Sequence, residues 1–442
     1  MVAVAGRELA WVLMSHKRKR DMSFDFNSEN QTSNPSNELS SETIALAKPA
    51  INGPTPLVEA VCQSTTFVQK DLSGSIKCTY SRVDNPTVAA LETTLGNLEN
   101  APPAVCFSTG LAAETALFLS LLKAGDHVVL SEAIYGGTVR LIRELFAGLG
   151  VSADFVDATD PQNIADAIRE NTKLVFIETP ANPTLCLNDI QAISKITQDA
   201  GIPLAVDNTF LTPVLQKPLD LGADISVYST TKHIEGHSAA MGGALTARDE
   251  KLLERFRWIR KSTGSIQTPQ NAAITSRGLK TLPLRIKQHS ANAQKIAETF
   301  ASDSRFNTVN YPGLHDFPQK ELADRQHQGA HGGVISFEIE GGFEVTCRFL
   351  ESLKICKLVE HIGSVETLIT HPASMTHADV PKDQLQKVGL TPSLVRLSVG
   401  LEEPADILND IFQALEVATG SPVETGNSIS PNVTPKLVTA SV

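Results

Sequence analysis

A lysine, Lys232, closes the run Asp224-Ile-Ser-Val-Tyr-Ser-Thr-Thr-Lys232, in which an apolar, strand-like stretch stops at hydroxyl side chains. Hydroxyls at such a point can hold a phosphate, and an amine beside them can form an imine with an aldehyde. One strand–helix–strand step upstream, Leu204-Ala-Val-Asp207 ends an equally apolar run on a carboxylate. A third segment, Cys106-Phe-Ser-Thr-Gly110-Leu111, carries a strand into a helix through small residues, and backbone N–H groups at a helix N-terminus attract anions. Amine, carboxylate and phosphate holder together describe a pocket for pyridoxal phosphate (PLP). A carboxylate that keeps the ring nitrogen protonated makes that ring an electron sink. Singly, each feature has a plainer reading: a solvated lysine, a turn aspartate, an ordinary capped helix.

These groups need elements to hold them. Short apolar runs at Ala104–Phe107, His127–Leu130, Ala153–Val156, Leu174–Glu178, Leu204–Asp207, Asp224–Tyr228 and Gly243–Ala247 alternate with helical patterns. That alternation predicts an α/β domain around a mostly parallel seven-stranded sheet. The runs are nearly continuous in apolar residues, as strands buried on both faces require. The helices carry their own punctuation: Thr138–Ala147 precedes Gly148 and Gly150, and Asp189–Ala200 presents Ile190, Ile193 and Ile196 on one face before Gly201. In such sheets ligands bind beyond the carboxyl ends of the strands. Glu178, Asp207, Ser229, Thr231 and Lys232 all fall at or just past those ends, so they are expected to line one site. From about residue 290 the pattern turns more helical, with strands at Gly333–Ile339 and Val395–Val399. A second, smaller α/β domain is expected there.

Composition sets the outer bounds. The chain has 442 residues, 41% of them hydrophobic, enough for about two domains. A net charge of −11 argues against a nucleic-acid partner. No run approaches about 18 apolar residues, so no membrane span is expected. Cys62, Cys78, Cys106, Cys186, Cys347 and Cys356 are scattered without CxxC spacing, which predicts neither a metal site nor a disulfide framework. Several sit in apolar runs as buried thiols, which suits the reducing cytoplasm. Residues 1–41, rich in Ser and Asn, are expected to be a disordered extension, with Met22 as a second candidate start. Residues 420–442 are expected to form a disordered tail.

Eight motifs then stand in order: Tyr80-Ser-Arg82-Val-Asp-Asn-Pro-Thr87, Ser108-Thr-Gly-Leu111, Tyr135-Gly-Gly-Thr138, Glu178-Thr-Pro-Ala-Asn182-Pro, Asp207-Asn-Thr-Phe, Ser229-Thr-Thr-Lys232, His371-Pro-Ala-Ser-Met-Thr-His377 and Val395-Arg396-Leu-Ser-Val-Gly. With them, residues from about 42 to 418 resemble the Cys/Met-metabolism family of PLP enzymes, the transsulfuration enzymes. The resemblance implies the type I fold of PLP enzymes, similar to aspartate aminotransferase. It implies an N-terminal arm at 42–100 reaching a neighbouring subunit's site, a large PLP-binding domain at 101–289 and a small C-terminal domain at 290–419.

It also implies roles. Lys232 would bear PLP and shuttle protons, and Asp207 would pair the ring nitrogen. Ser229, Thr231 and the N–H groups of Gly110 and Leu111 would bind the phosphate. Tyr80 and Arg82 would reach that phosphate from a neighbouring subunit, so the site implies a homo-oligomer, a dimer at least, with a tetramer expected. Tyr135 would stack on the ring and assist the leaving group. Asn182 would lie near the ring oxygen with Glu178 nearby. Arg396 would clamp the α-carboxylate of an amino-acid substrate in a bidentate pair, supported by Ser364. Glu366 has two readings, a contact to the distal end of a longer substrate or a buried structural carboxylate.

The sequence departs from the family in two places: His233 stands where Tyr is common, and Ala239 where Asp is common. Neither removes an atom that holds PLP. Methionine γ-lyases of this family typically carry Cys two residues after the stacking tyrosine; Gly137 stands here, which disfavours methionine as the main substrate. The resemblance points first to a cystathionine γ-synthase reaction, with cystathionine γ-lyase as the alternative. Homoserine-ester sulfhydrylase and methionine γ-lyase follow, and a PLP-binding protein without turnover comes last.

Overall fold

The computed structural model describes residues 57–72, 78–378 and 389–420. The extension expected at 1–41, the candidate start at Met22 and the tail beyond Gly420 lie outside those residues. The large sheet holds seven strands: β1 (Val105–Phe107), β2 (His127–Ser131), β3 (Ser152–Val156), β4 (Thr172–Glu178), β5 (Leu204–Asp207), β6 (Ile225–Tyr228) and β7 (Gly243–Ala247). Their order is β1-β7-β6-β5-β4-β2-β3. Only β7 runs antiparallel to its neighbours; the β3, β2, β4, β5 and β6 pairings are parallel. Each predicted strand run therefore has its strand, within a residue or two.

Burial explains the continuous apolar character. Every residue of β1, β5 and β6 is buried. Phe118 and Phe176 pack one face of the sheet, while Ile177, Ile190 and Ile193 pack the other. Asp189 caps its helix by accepting the Ala192 N–H, and the helix Ile190–Ala200 stops at Gly201, whose φ of +67° favours glycine. The helix expected at 138–147 begins two residues earlier, at Gly136, and passes into π-type turns over Leu141–Phe146. A buried ion pair, Arg260 to Glu92, ties the helix Pro86–Leu98 to β1, since Glu92 also accepts the Cys106 N–H at 2.8 Å and Arg260 donates to the Cys106 carbonyl at 2.9 Å.

A second sheet follows, built from β8 (Phe306–Asn310), β9 (Val334–Ile339), β10 (Lys357–Leu358), β11 (Leu368–Thr370) and β12 (Leu394–Ser398), in the order β10-β11-β12-β9-β8. The sequence pattern anticipates only β9 and β12; β11 is also interior and buried but only three residues long. β8 alternates weakly and is exposed at Asn307 and Thr308, and β10 is two exposed residues long, so neither carries an apolar run. Phe300, Phe306, Phe337 and Phe349 form the aromatic centre of this second core. Among the described residues, no helix is long and apolar enough to cross a membrane.

Candidate active site

Glu178 and Asp207 are paired neighbours at the last rungs of β4 and β5, and Ser229 follows β6 directly. They open onto a cavity of about 370 Å³ that is also lined by Gly110, Leu111, Tyr135, Asn182, Thr231, Lys232 and Arg396. The topology thus gathers residues from strand ends far apart in the chain, and Arg396 comes from β12 of the second sheet.

The phosphate end is built from backbone. The helix Gly110–Leu121 starts at Thr109, whose side chain accepts the Ala112 N–H at 3.0 Å. The N–H groups of Gly110 and Leu111 are first-turn donors without an intrahelical acceptor. A Cβ at Gly110 would lie 3.0 Å from the Ser229 Cβ and 3.2 Å from its Oγ, so glycine alone leaves the cradle open. Thr231 Oγ1 is fixed by Gly242, donating to its carbonyl and accepting its N–H, both at 3.0 Å.

At the ring end, Asp207 is buried and accepts the Thr209 N–H at 2.8 Å. Burial raises its carboxyl to about 6 against that hydrogen bond, and a cationic ring nitrogen beside it would favour the carboxylate. Lys232 carries the amine; burial and then the Arg396 charge lower it to about 8. An amine with a neutral fraction at physiological pH, a buried acid and an anion cradle in one cavity fit PLP. Burial also raises the Tyr135 phenol, which stays protonated.

Glu178 braces the cavity: its two oxygens accept the Tyr135 N–H at 2.7 Å and the Asn182 N–H at 3.1 Å. Asn182 in turn accepts Arg396 Nη1 at 2.8 Å through Oδ1, so its side chain is turned to the arginine. The Tyr135 ring lies against Gly137, where an added Cβ would be 2.4 Å from it. Gly137→Ala is therefore expected to displace the ring and lower kcat/KM by roughly 10²-fold, with cofactor absorbance retained; steady-state kinetics and a spectrum check both.

Tyr80 and Arg82 are absent from this cavity's lining. Arg82 lies over the Tyr80 ring at 5.3 Å and donates to the Lys261 carbonyl at 2.8 Å. Ser364 and Glu366 are absent from the lining as well, and the Ser364 hydroxyl donates to the Glu366 carboxylate. The physical reason is Gly363. Its φ is +80°, and a Cβ there would be 2.4 Å from the His233 nitrogen, so the chain turns away after Ile362. The loop instead contributes Glu360 and Ile362 to the lining, and the His361 carbonyl accepts Arg396 Nη2 at 3.2 Å.

Both family departures have a structural place. His233 is fully buried under Gly363, with its ring edge-on to His289 at 5.6 Å. At Ala239 the loop is tied by Glu235, whose Oε2 accepts the N–H groups of His237 and Ala239, both at 3.1 Å. Sequence reasoning missed Glu114, Arg140, Glu360 and His361. Glu114 lines the cavity from the helix Gly110–Leu121 and accepts the Thr138 hydroxyl at 2.7 Å. Its place one turn after Gly110 is the only signal the sequence offers.

A mostly parallel sheet with a half-buried lysine, a buried aspartate and an anion cradle at its strand ends defines a PLP-dependent enzyme of fold type I. The chain belongs to the family described as Cys/Met metabolism PLP-dependent enzyme, which matches residues 47–416. It is 42% identical over 356 residues to a cystathionine gamma-lyase of Bacillus subtilis, covering 80% of this chain and 93% of that protein. A cystathionine beta-lyase of Lactococcus lactis has the same identity and coverage. A crystal structure of cystathionine gamma synthase from Xanthomonas oryzae, in complex with aminoacrylate and cysteine, superposes with a TM-score of 0.84 at 36% identity, covering 86% of this chain and 98% of that one. The cofactor is pyridoxal phosphate, and the chemistry is that of cysteine and methionine metabolism.

Proposed function

We propose that this enzyme joins cysteine to the γ-carbon of an O-acylated homoserine, the cystathionine γ-synthase reaction. The observation that carries the reading is that Arg140 and Glu360 line the same cavity as Lys232 and Arg396. Both are exposed, towards solvent from the buried Arg396. A molecule with one amino-acid end at Arg396 and a second amino-acid end further out meets charges of both signs. The methyl end of methionine does not need them, and Gly137 points the same way.

Bound PLP supplies an electron sink for the removal of protons at Cα and Cβ. The chain supplies the rest. Lys232 Nζ would bear the cofactor, and its amine would take and return the substrate protons. Asp207 would pair the ring nitrogen and keep it protonated. The Tyr135 phenol, held protonated, donates to the departing acyl group. Arg396 holds the α-carboxylate, with Asn182 and Thr370 fixing its fork. Ser229, Thr231 and the first-turn N–H groups hold the phosphate. Tyr80 and Arg82 serve a neighbouring subunit's phosphate, so the working unit is a homo-oligomer with shared sites, and the arm at 42–100 is the shared segment. The buried thiols of Cys106 and Cys356 suit the cytoplasm.

The second reading is cystathionine γ-lyase, the activity in the name of the B. subtilis relative at 42% identity. A product assay separates them. Purified enzyme receives O-acetyl- or O-succinylhomoserine with cysteine and, separately, cystathionine. Cystathionine as the main product supports the synthase; 2-oxobutyrate and cysteine from cystathionine support the lyase. Neither product from either mixture removes both readings.

The Lys232 amine also sets a pH dependence. It is neutral above about 8 and protonated below, and only the neutral form attacks an aldehyde. Covalent loading of cofactor-stripped enzyme is expected to speed up about tenfold per pH unit up to that value and then level off. Stopped-flow absorbance would show it; a rate flat from pH 6 to 9 contradicts it.

A further inference from the structure

We propose that His361 is the positioning residue for the Lys232 amine: its Nδ1, 3.2 Å from Lys232 Nζ, takes one N–H and so turns the nitrogen lone pair into the cavity. This deepens the function proposed above and rests on its assignment of Lys232 as the cofactor-bearing lysine.

A neutral amine has two hydrogens and one lone pair, and it rotates freely about its last carbon–nitrogen bond. Condensation with an aldehyde, which forms one C=N bond and releases one water, needs the lone pair aimed at the carbonyl carbon. Proton removal from the substrate needs the same aim. Two carboxylates of the cavity wall already accept hydrogen bonds: Asp207 from the Thr209 N–H, and Glu178 from the N–H groups of Tyr135 and Asn182. His361 is held from both sides. Its carbonyl accepts Arg396 Nη2 at 3.2 Å, and the Gly363 N–H donates to Ser398 Oγ at 2.8 Å, anchoring the loop to β12.

The ring acts as an acceptor, not as a base. With Nδ1 accepting, the ring proton sits on Nε2, which is buried with no partner among the described residues. Protonating Nδ1 as well would put a second buried cation between Lys232 and Arg396. Burial and those two charges lower the ring to about 4, so it stays neutral when the lysine proton moves. One residue thus aims the amine with its ring and steadies the carboxylate clamp with its carbonyl.

The test uses full-length enzyme stripped of PLP and two variants. His361→Phe keeps a buried ring without the acceptor; His361→Gln restores an acceptor oxygen. The first readout is the rate of forming a borohydride-reducible linkage with PLP. The second is affinity for pyridoxine phosphate, which has ring and phosphate but no aldehyde. The Phe variant is expected to link about tenfold more slowly and the Gln variant within about threefold of wild type, with pyridoxine phosphate affinity unchanged in both. Wild-type linkage rates in the Phe variant overturn the proposal. So does a parallel loss of pyridoxine phosphate affinity, which a merely structural role would give, or a Gln variant as slow as Phe. Peptide mapping of the reduced linkage keeps the two levels apart: label on another lysine overturns the Lys232 assignment, whereas label on Lys232 with an unchanged rate in the Phe variant overturns only the role of His361.

Discussion

Lys232→Ala is expected to bind PLP without a covalent bond and to lose turnover by at least about 10⁴-fold, since it removes both the nucleophile and the proton carrier. The two losses come from one atom. Lys232 lines the same cavity as Asp207, and its lowered proton affinity keeps part of it neutral at physiological pH. Without it, the cofactor still meets the Gly110–Ser229 cradle and the Asp207 carboxylate, so non-covalent binding remains. Borohydride reduction should trap no protein-bound cofactor in the variant, while dialysis should remove it readily. Added primary amines of small size should restore a fraction of the turnover, because they replace the proton carrier but not its placement. A Lys232→Ala enzyme with undiminished turnover would dismiss the mechanism.

The same residues show what a sequence makes legible. Glu178, Asp207 and Lys232 stand at the ends of apolar runs, so the break in hydrophobicity marks both the strand and the site. Gly110 is legible for a related reason: a strand that enters a helix through small residues leaves backbone N–H groups bare. Glu114 and His361 have no such mark. Glu114 reaches the cavity because the helix Gly110–Leu121 turns one face to it, and His361 meets Lys232 because Gly363 turns the loop against His233. Both depend on packing between distant segments, which local pattern does not encode. Ser364 and Glu366 show the complementary limit. Their types suit a carboxylate or ammonium contact, yet a positive φ at Gly363 carries them past the cavity to bond each other. In the second sheet, β8 and β10 escaped because edge strands need little apolar surface.

Arg396→Leu is expected to lower kcat/KM by about 10² to 10⁴-fold while covalent cofactor is retained. Arg396 is buried on β12, and among the described residues its hydrogen-bond partners are all neutral: the Asn182 amide oxygen, the His361 carbonyl and the Thr370 hydroxyl. Burial lowers the guanidinium to about 10, still charged at physiological pH, so the site holds a buried cation in need of an anion. A substrate carboxylate supplies it through two charge-assisted hydrogen bonds, each worth about 1.5–3 kcal/mol. Losing both gives about 3–6 kcal/mol, which is the stated range of rates. Arg396→Lys keeps the charge but loses the fork that Asn182 and Thr370 align, so it should fall between wild type and Leu. The Leu variant also strands the Asn182 and Thr370 acceptors, so a second readout must separate substrate binding from a loosened cavity. An amine substrate lacking the α-carboxylate provides it. That amine should react with wild type as poorly as with Arg396→Leu, because neither complex contains the pair. If the amine is slowed by the substitution as much as the amino acid is, Arg396 shapes the cavity instead of binding the carboxylate.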